Sequence, residues 1–138
     1  MIRVNKRSVL LAISLLTITQ SVNADGIFGL WDSEHENPTD DYVRVRIAPC
    51  EENEQYICGL IVEAFRNGEG STEADFVGKR MLWGFEEKTE SYWTKGKLWA
   101  PDTEKTYASK LDQINDDRLI VSGCVLFFCR DQIWTRAN

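Results

Sequence analysis

The stretch Tyr42-Val43-Arg44-Val45-Arg46-Ile47 alternates without a break, with Val43, Val45 and Ile47 on one side and both arginines on the other. Period two is the mark of a β-strand with one dry face and one wet face. Working outward, the same writing recurs at residues 27–31, 56–64, 80–86, 92–99, 106–114, 118–124 and 131–136, which makes eight predicted strands. In the 80–86 segment, strict alternation puts Met81, Trp83 and Phe85 on one face. Turn signals separate the strands: Asn37-Pro38, residues 51–55 and 87–90, Pro101-Asp102, residues 115–117 and the interval between Cys124 and Cys129. Strands at this spacing, with no long amphipathic helix, imply consecutive antiparallel hairpins. Such a meander loses its edges completely by closing into an up-and-down barrel, and a two-sheet sandwich is the competing architecture. The glycine-rich residues 66–79 read as a loop or lid, with one helical turn near 72–76.

The N-terminus decides the compartment. Arg3, Lys6 and Arg7 make a basic start, residues 9–18 are uncharged and apolar, and Val22-Asn23-Ala24 offers a cleavage site. This is the anatomy of a secretory signal peptide, residues 1–24, with a periplasmic or secreted destination. The apolar run is about half the ~20 residues a bilayer-spanning helix needs, and no later segment is apolar enough to span. No cysteine stands directly after it, at the cleavage site, which argues against a lipoprotein anchor. Residues 25–138 then form a single domain, small but able to bury a core. The signal holds three of the 16 basic residues and none of the 22 acidic ones, so the remainder carries 13 basic against 22 acidic residues, a net charge of −9. So acidic a domain, with no basic stripe, repels phosphate backbones, and nucleic acid is not an expected partner.

All four cysteines, Cys50, Cys58, Cys124 and Cys129, follow the signal. An even count in a short exported chain reads as disulfides. Of the three pairings, Cys50–Cys58 with Cys124–Cys129 is favoured because each pair brackets a predicted hairpin turn. On the chain-entropy model each short loop stabilises by roughly 2–3 kcal/mol. A four-cysteine zinc site fits worse, because seven residues separate the first pair where paired zinc ligands have about two to four.

Catalytic signals are sparse. His35 is the single histidine and sits in the polar segment Asp32-Ser33-Glu34-His35-Glu36-Asn37. No serine has the Gly-x-Ser-x-Gly setting of a strained nucleophile. The acidic cluster Asp32, Glu34, Glu36, Asp40, Asp41 with His35 lacks the fixed spacing of a calcium loop and reads as a solvated surface. No enzyme, cofactor or metal is expected.

Aromatic residues are plentiful: 15 in the chain, with Trp31, Trp83, Trp93, Trp99 and Trp134 in predicted strands or at their ends. An eight-stranded barrel has an interior just wide enough for side chains or one small ligand. Val43, Val45, Met81, Trp83, Phe85, Tyr107, Leu111, Leu119 and Val121 are expected to face inward, as core or as the lining of a binding cavity. In a closed meander the first and last strands are neighbours, so Arg136 is expected to cover the Trp31 ring as a closure device. A third feature is Val125-Leu126-Phe127-Phe128, an apolar hairpin tip where polar residues are usual. It either folds over to plug one end of the barrel or stays exposed as a docking patch.

These residues resemble the exported bacterial family catalogued as domain of unknown function 2147. The resemblance runs through Gly29-Leu30-Trp31, Pro49-Cys50, Cys58-Gly59, Ile61-Val62, Gly96-Lys97, Pro101-Asp102, Lys105-Thr106-Tyr107, Lys110-Leu111, Leu119 with Val121, Gly123-Cys124, Cys129-Arg130 and Trp134-Thr135-Arg136. Ala100 and Glu104 stand where the family pattern has Asp and Gly. The resemblance implies a small lipocalin-like (calycin) barrel and no established activity. Two functions are expected from different classes. One is a non-enzymatic exported barrel binding a small apolar or amphipathic molecule. The other is an envelope protein that binds another protein, such as an inhibitor of a basic secreted enzyme of the lysozyme kind, drawn in by the negative charge.

Overall fold

A computed structural model describes residues 26–138, and the predicted signal peptide lies outside the described residues. Nine strands follow in order: β1 (Gly29–Asp32), β2 (Tyr42–Pro49), β3 (Tyr56–Arg66), β4 (Glu69–Ser71), β5 (Arg80–Thr89), β6 (Tyr92–Ala100), β7 (Lys105–Asn115), β8 (Arg118–Val125) and β9 (Phe128–Arg136). Sequential strands pair antiparallel, and β1 joins both β2 and β9. Eight strands therefore close into an up-and-down barrel, and β4 hangs outside the ring as a flap on the end of β3. No helix occurs among the described residues, and so none long and apolar enough to cross a membrane.

Two expectations about residues 66–79 need correction. Asn67 (φ 52°) and Gly68 (φ 79°) make the two-residue turn of the β3–β4 hairpin. Both central positions take the left-handed region, which Asn-Gly adopts at least cost and which suits the strand twist. The expected helical turn is absent. Val77 and Lys79 instead donate to the carbonyls three residues back, Ala74 and Phe76, forming consecutive β-turns.

Alternation along the strands decides what fills the barrel. Trp31, Val45, Ile47, Ile61, Leu82, Phe85, Leu111, Leu119, Val121 and Trp134 are fully buried. Aromatic bulk needs space, and glycine supplies it. A Cβ on Gly96 would stand 2.2 Å from the Phe85 ring, and one on Gly59 would stand 2.9 Å from Val45. Side chains with no exposed surface border no water-sized void, so the middle of the barrel is packed solid at the density usual for protein interiors.

The near end of the barrel, where β1 begins, is sealed by residues 26–28. Ile27 is buried, and its carbonyl accepts the Trp31 indole N–H at 2.8 Å. The Arg136 guanidinium lies 4.2 Å from the centre of the Trp31 ring and donates to the carbonyls of Gly26, Phe28 and Asp116. Gly29 permits this approach: Arg136 Nη1 sits 3.1 Å from the place its Cβ would take. The disulfides are Cys50–Cys58 at the near end and Cys124–Cys129 at the far end, each spanning a hairpin.

Two stability predictions follow from the seam and the packing. Arg136→Ala is expected to cost about 2 kcal/mol, lowering the melting temperature on the order of 10 °C. Arg136→Lys should recover little of this, because an ammonium lacks the guanidinium fork; an unchanged melting temperature in the alanine variant would count against the seam. Gly96→Ala forces a methyl into the Phe85 ring and should cost roughly 1–3 kcal/mol in a urea titration. Full tolerance would mean that the ring has room to move.

Candidate functional site

The nine residues expected to line a cavity separate into three groups. Val45, Phe85, Leu111, Leu119 and Val121 are fully buried and Met81 nearly so; with neighbours such as Trp134 they form a filled core and leave no space for a ligand against their side chains. Val43 and Tyr107 are half-buried and stand towards the far end, where β2 and β7 begin. Tyr107 pairs with the nearly buried Leu98, so it sits on the inner face.

Trp83 requires a correction. It pairs with the exposed Lys97, while its neighbour Leu82 pairs with Leu98 and is fully buried. Trp83 therefore lies on the outer face. The cause is two extra residues in β5: Arg80 and Leu82 sit opposite the adjacent Leu60 and Gly59, which leaves Met81 unpaired between them, and a second extra residue follows. Leu82 and Phe85 are three apart, yet they sit opposite Gly59 and Ile57, which are two apart. Gly84, at φ 73°, absorbs the additional residue as a β-bulge. One inserted residue reverses the facing of everything beyond it, so Phe85 points in and Trp83 points out.

On the outer wall Trp83 meets Trp99 across an open groove of about 550 Å³ that is also lined by Lys79, Arg80 and Glu104. Both indoles are half-buried. The Lys79 ammonium stands 5.5 Å from the centre of the Trp99 ring, and the Lys79 carbonyl accepts the Ile61 N–H, which fixes its backbone to the barrel. Arg80 and Glu52 form a bidentate ion pair at 2.7 and 2.9 Å. The Arg80 guanidinium holds the Glu52 carboxyl below its usual range, so Arg80 is already partnered and Lys79 is the groove's available cation. Glu104 ends the 101–104 turn at φ 55°, a conformation that glycine takes without strain.

A second hollow of about 500 Å³ opens beside Glu34, His35, Glu36, Asp40, Arg118, Ile133 and Thr135. His35 is half-buried, hydrogen-bonded through Nδ1 to the Ser33 carbonyl at 2.8 Å, and stacked on Tyr42 at 3.9 Å. Tyr42 in turn stacks on Phe65 at 4.4 Å, and Arg44 lies over Phe65. Burial, then the charges of Asp32 and Glu63, push the Tyr42 hydroxyl above its ordinary value. Three nearby carboxylates are committed elsewhere. Asp32 takes two bonds from Arg44, Glu34 accepts the Ile133 N–H, and Asp40 caps the backbone N–H groups of Glu36 and Asn37. Among the described residues no hydrogen bond joins His35 to a carboxylate.

The apolar tip does not plug the barrel. Val125 pairs with Phe128 around the two-residue turn Leu126-Phe127, and all four side chains are exposed. Pairing runs to the very end of the β8–β9 hairpin, which holds the tip outward.

The structure is similar to that of HP1028 from Helicobacter pylori, described as belonging to the lipocalin family. The TM-score is 0.58 at 11% identity, over 78% of this chain and 81% of that one. Among curated proteins none matches this sequence. The sequence profile of a bacterial family described as an uncharacterized protein conserved in bacteria, DUF2147, matches residues 29–136, and the chain belongs to that family.

Proposed function

We propose that this protein is a non-enzymatic binding protein that works outside the cytoplasm and holds a small amphipathic molecule in the groove between Trp83 and Trp99. The observation that carries this is the pair of half-buried indoles with the Lys79 ammonium beside one of them. Two disulfides are compatible with an extracytoplasmic setting. Indoles offer flat apolar surface to a ring or an acyl segment, and an ammonium at the edge offers a partner for an anionic head. The groove lies within the ~300–1,000 Å³ range of small-molecule sites. Ligand binding inside the barrel, the habit the lipocalin likeness suggests by analogy, has no room here, because the residues that would contact the ligand contact each other. This supports a site on the outer wall.

Anilinonaphthalene sulfonate, a flat bicyclic ring bearing an anion, is a suitable probe. Trp83→Ala and Trp99→Ala should each weaken its binding on the order of tenfold, as expected for loss of one stacking face. Lys79→Gln should weaken the sulfonate probe and leave an uncharged naphthalene unaffected. A Phe127→Ser, Phe128→Ser background removes binding at the exposed tip, so the remaining signal belongs to the groove. Identical titrations for the parent and both tryptophan variants on that background would remove this reading.

A further inference from the structure

The hairpin tip at Val125–Phe128 combines four features that do not otherwise belong together. Its side chains are 57%, 90%, 97% and 83% exposed, in chain order. They form one contiguous apolar unit, with no charged residue from Leu119 to Cys129. Leu126 holds φ 53°, a region that glycine or asparagine takes readily and that a branched, bulky side chain resists. The Cys124–Cys129 disulfide ties the two arms directly beneath it. A turn selected only to reverse the chain would carry Asn-Gly, as the β3–β4 hairpin does. Here the turn presents leucine and phenylalanine to solvent on a strained, covalently tied frame.

The charges around the tip indicate the partner. On β9 the first charged residue below the disulfide is Arg130, with Asp131 next to it accepting the Ser122 hydroxyl, and β8 carries no charge until Arg118 at the opposite end of the barrel. On the adjoining strand, Lys105 opens β7 after Glu104, and the β7–β8 register, with Ala108 opposite Cys124, brings it level with the turn. Arg130 and Lys105 are thus the cations nearest the tip. An apolar point with flanking cations complements the layered chemistry of a bilayer surface, acyl chains below and phosphates above. The dimensions agree as well. Two residues on each arm beyond the disulfide reach roughly 7 Å at the rise of a strand, within the ~5–10 Å depth of interfacial insertion. A protruding point suits a lipid layer, which accommodates any convex shape.

We infer that the Val125–Phe128 tip inserts into the interfacial layer of a lipid bilayer, docking the barrel by its far end with Arg130 and Lys105 at the phosphates. The inference stands on the tip alone and does not need the proposed ligand.

Flotation of the full chain, without its signal segment, on phosphatidylethanolamine–phosphatidylcholine vesicles tests this, with and without phosphatidylglycerol. The parent protein should float on both compositions. Binding to the zwitterionic vesicles should persist at high salt because the tip supplies it. Phe127→Ser with Phe128→Ser should reduce the bound fraction at least tenfold while leaving the circular dichroism spectrum and melting curve unchanged. Lys105→Gln with Arg130→Gln should lose mainly the extra binding that phosphatidylglycerol contributes. Leu126→Asn relieves the backbone strain and removes apolar surface, so it should raise the melting temperature while lowering flotation; this separates presentation from folding. Absence of flotation, or equal flotation of the double serine variant, overturns the inference. Tip-dependent capture by an envelope protein, without any vesicle binding, would reassign the tip to a protein partner and overturn it too.

Discussion

The structure depends on a four-residue strand. β1 pairs with β2 from Gly29 to Asp32, but with β9 only through Trp31 opposite Arg136 and Asp32 opposite Thr135. Two register pairs are a narrow seam for a closed sheet, and the remaining closure comes from side chains. The Trp31 ring is packed in the core, its indole N–H is bonded to the Ile27 carbonyl, and the Arg136 guanidinium covers it while bonding the carbonyls of Gly26, Phe28 and Asp116. Beyond the seam, the Asp32–Arg44–Glu63 ion pairs tie β1 to β2 and β3 on the outer wall. The Glu34 carboxylate takes the Ile133 N–H that β1 is too short to reach. A sheet with an unpaired edge is an aggregation risk, and these contacts close the edge that pairing leaves open.

Closure at small radius sets the interior. Phe85 packs against Gly96, and Val45 and Leu82 pack against Gly59, and the volumes match closely enough that these central side chains have no accessible surface. Such packing stabilises a small domain, yet it removes the cavity that a barrel of this kind can hold. Chemistry available to other molecules is consequently found on the wall and at the far end. The bulge at Gly84 turns Trp83 outward, and the β8–β9 hairpin carries its apolar residues past the rim.

Ser109 marks the limit of that match. Its hydroxyl is buried without a partner, in a row of small residues where Gly96 and Gly123 stand on either side. A larger apolar side chain at that position would compete with Phe85 for the same space. The packing of this layer thus favours a small residue, at the cost of one unsatisfied polar group.

Sequence by itself determined the features governed by neighbours in the chain. Strand identity followed from period two, the disulfides from the hairpins they bracket, and the meeting of Trp31 with Arg136 from the circular order of a meander. The Asn67-Gly68 turn was missed, because residues 66–79 read as one loop, although Asn-Gly between two extended runs is a tight-hairpin signal. Only the tertiary structure decided which way Trp83 faces, whether the lumen is empty, and whether the Val125–Phe128 tip folds in. Each depends on something that periodicity does not encode. A bulge is one residue counted against a partner strand, a cavity is the balance of side-chain volumes from eight strands at once, and exposure of a tip depends on whether an already filled barrel leaves a place for it.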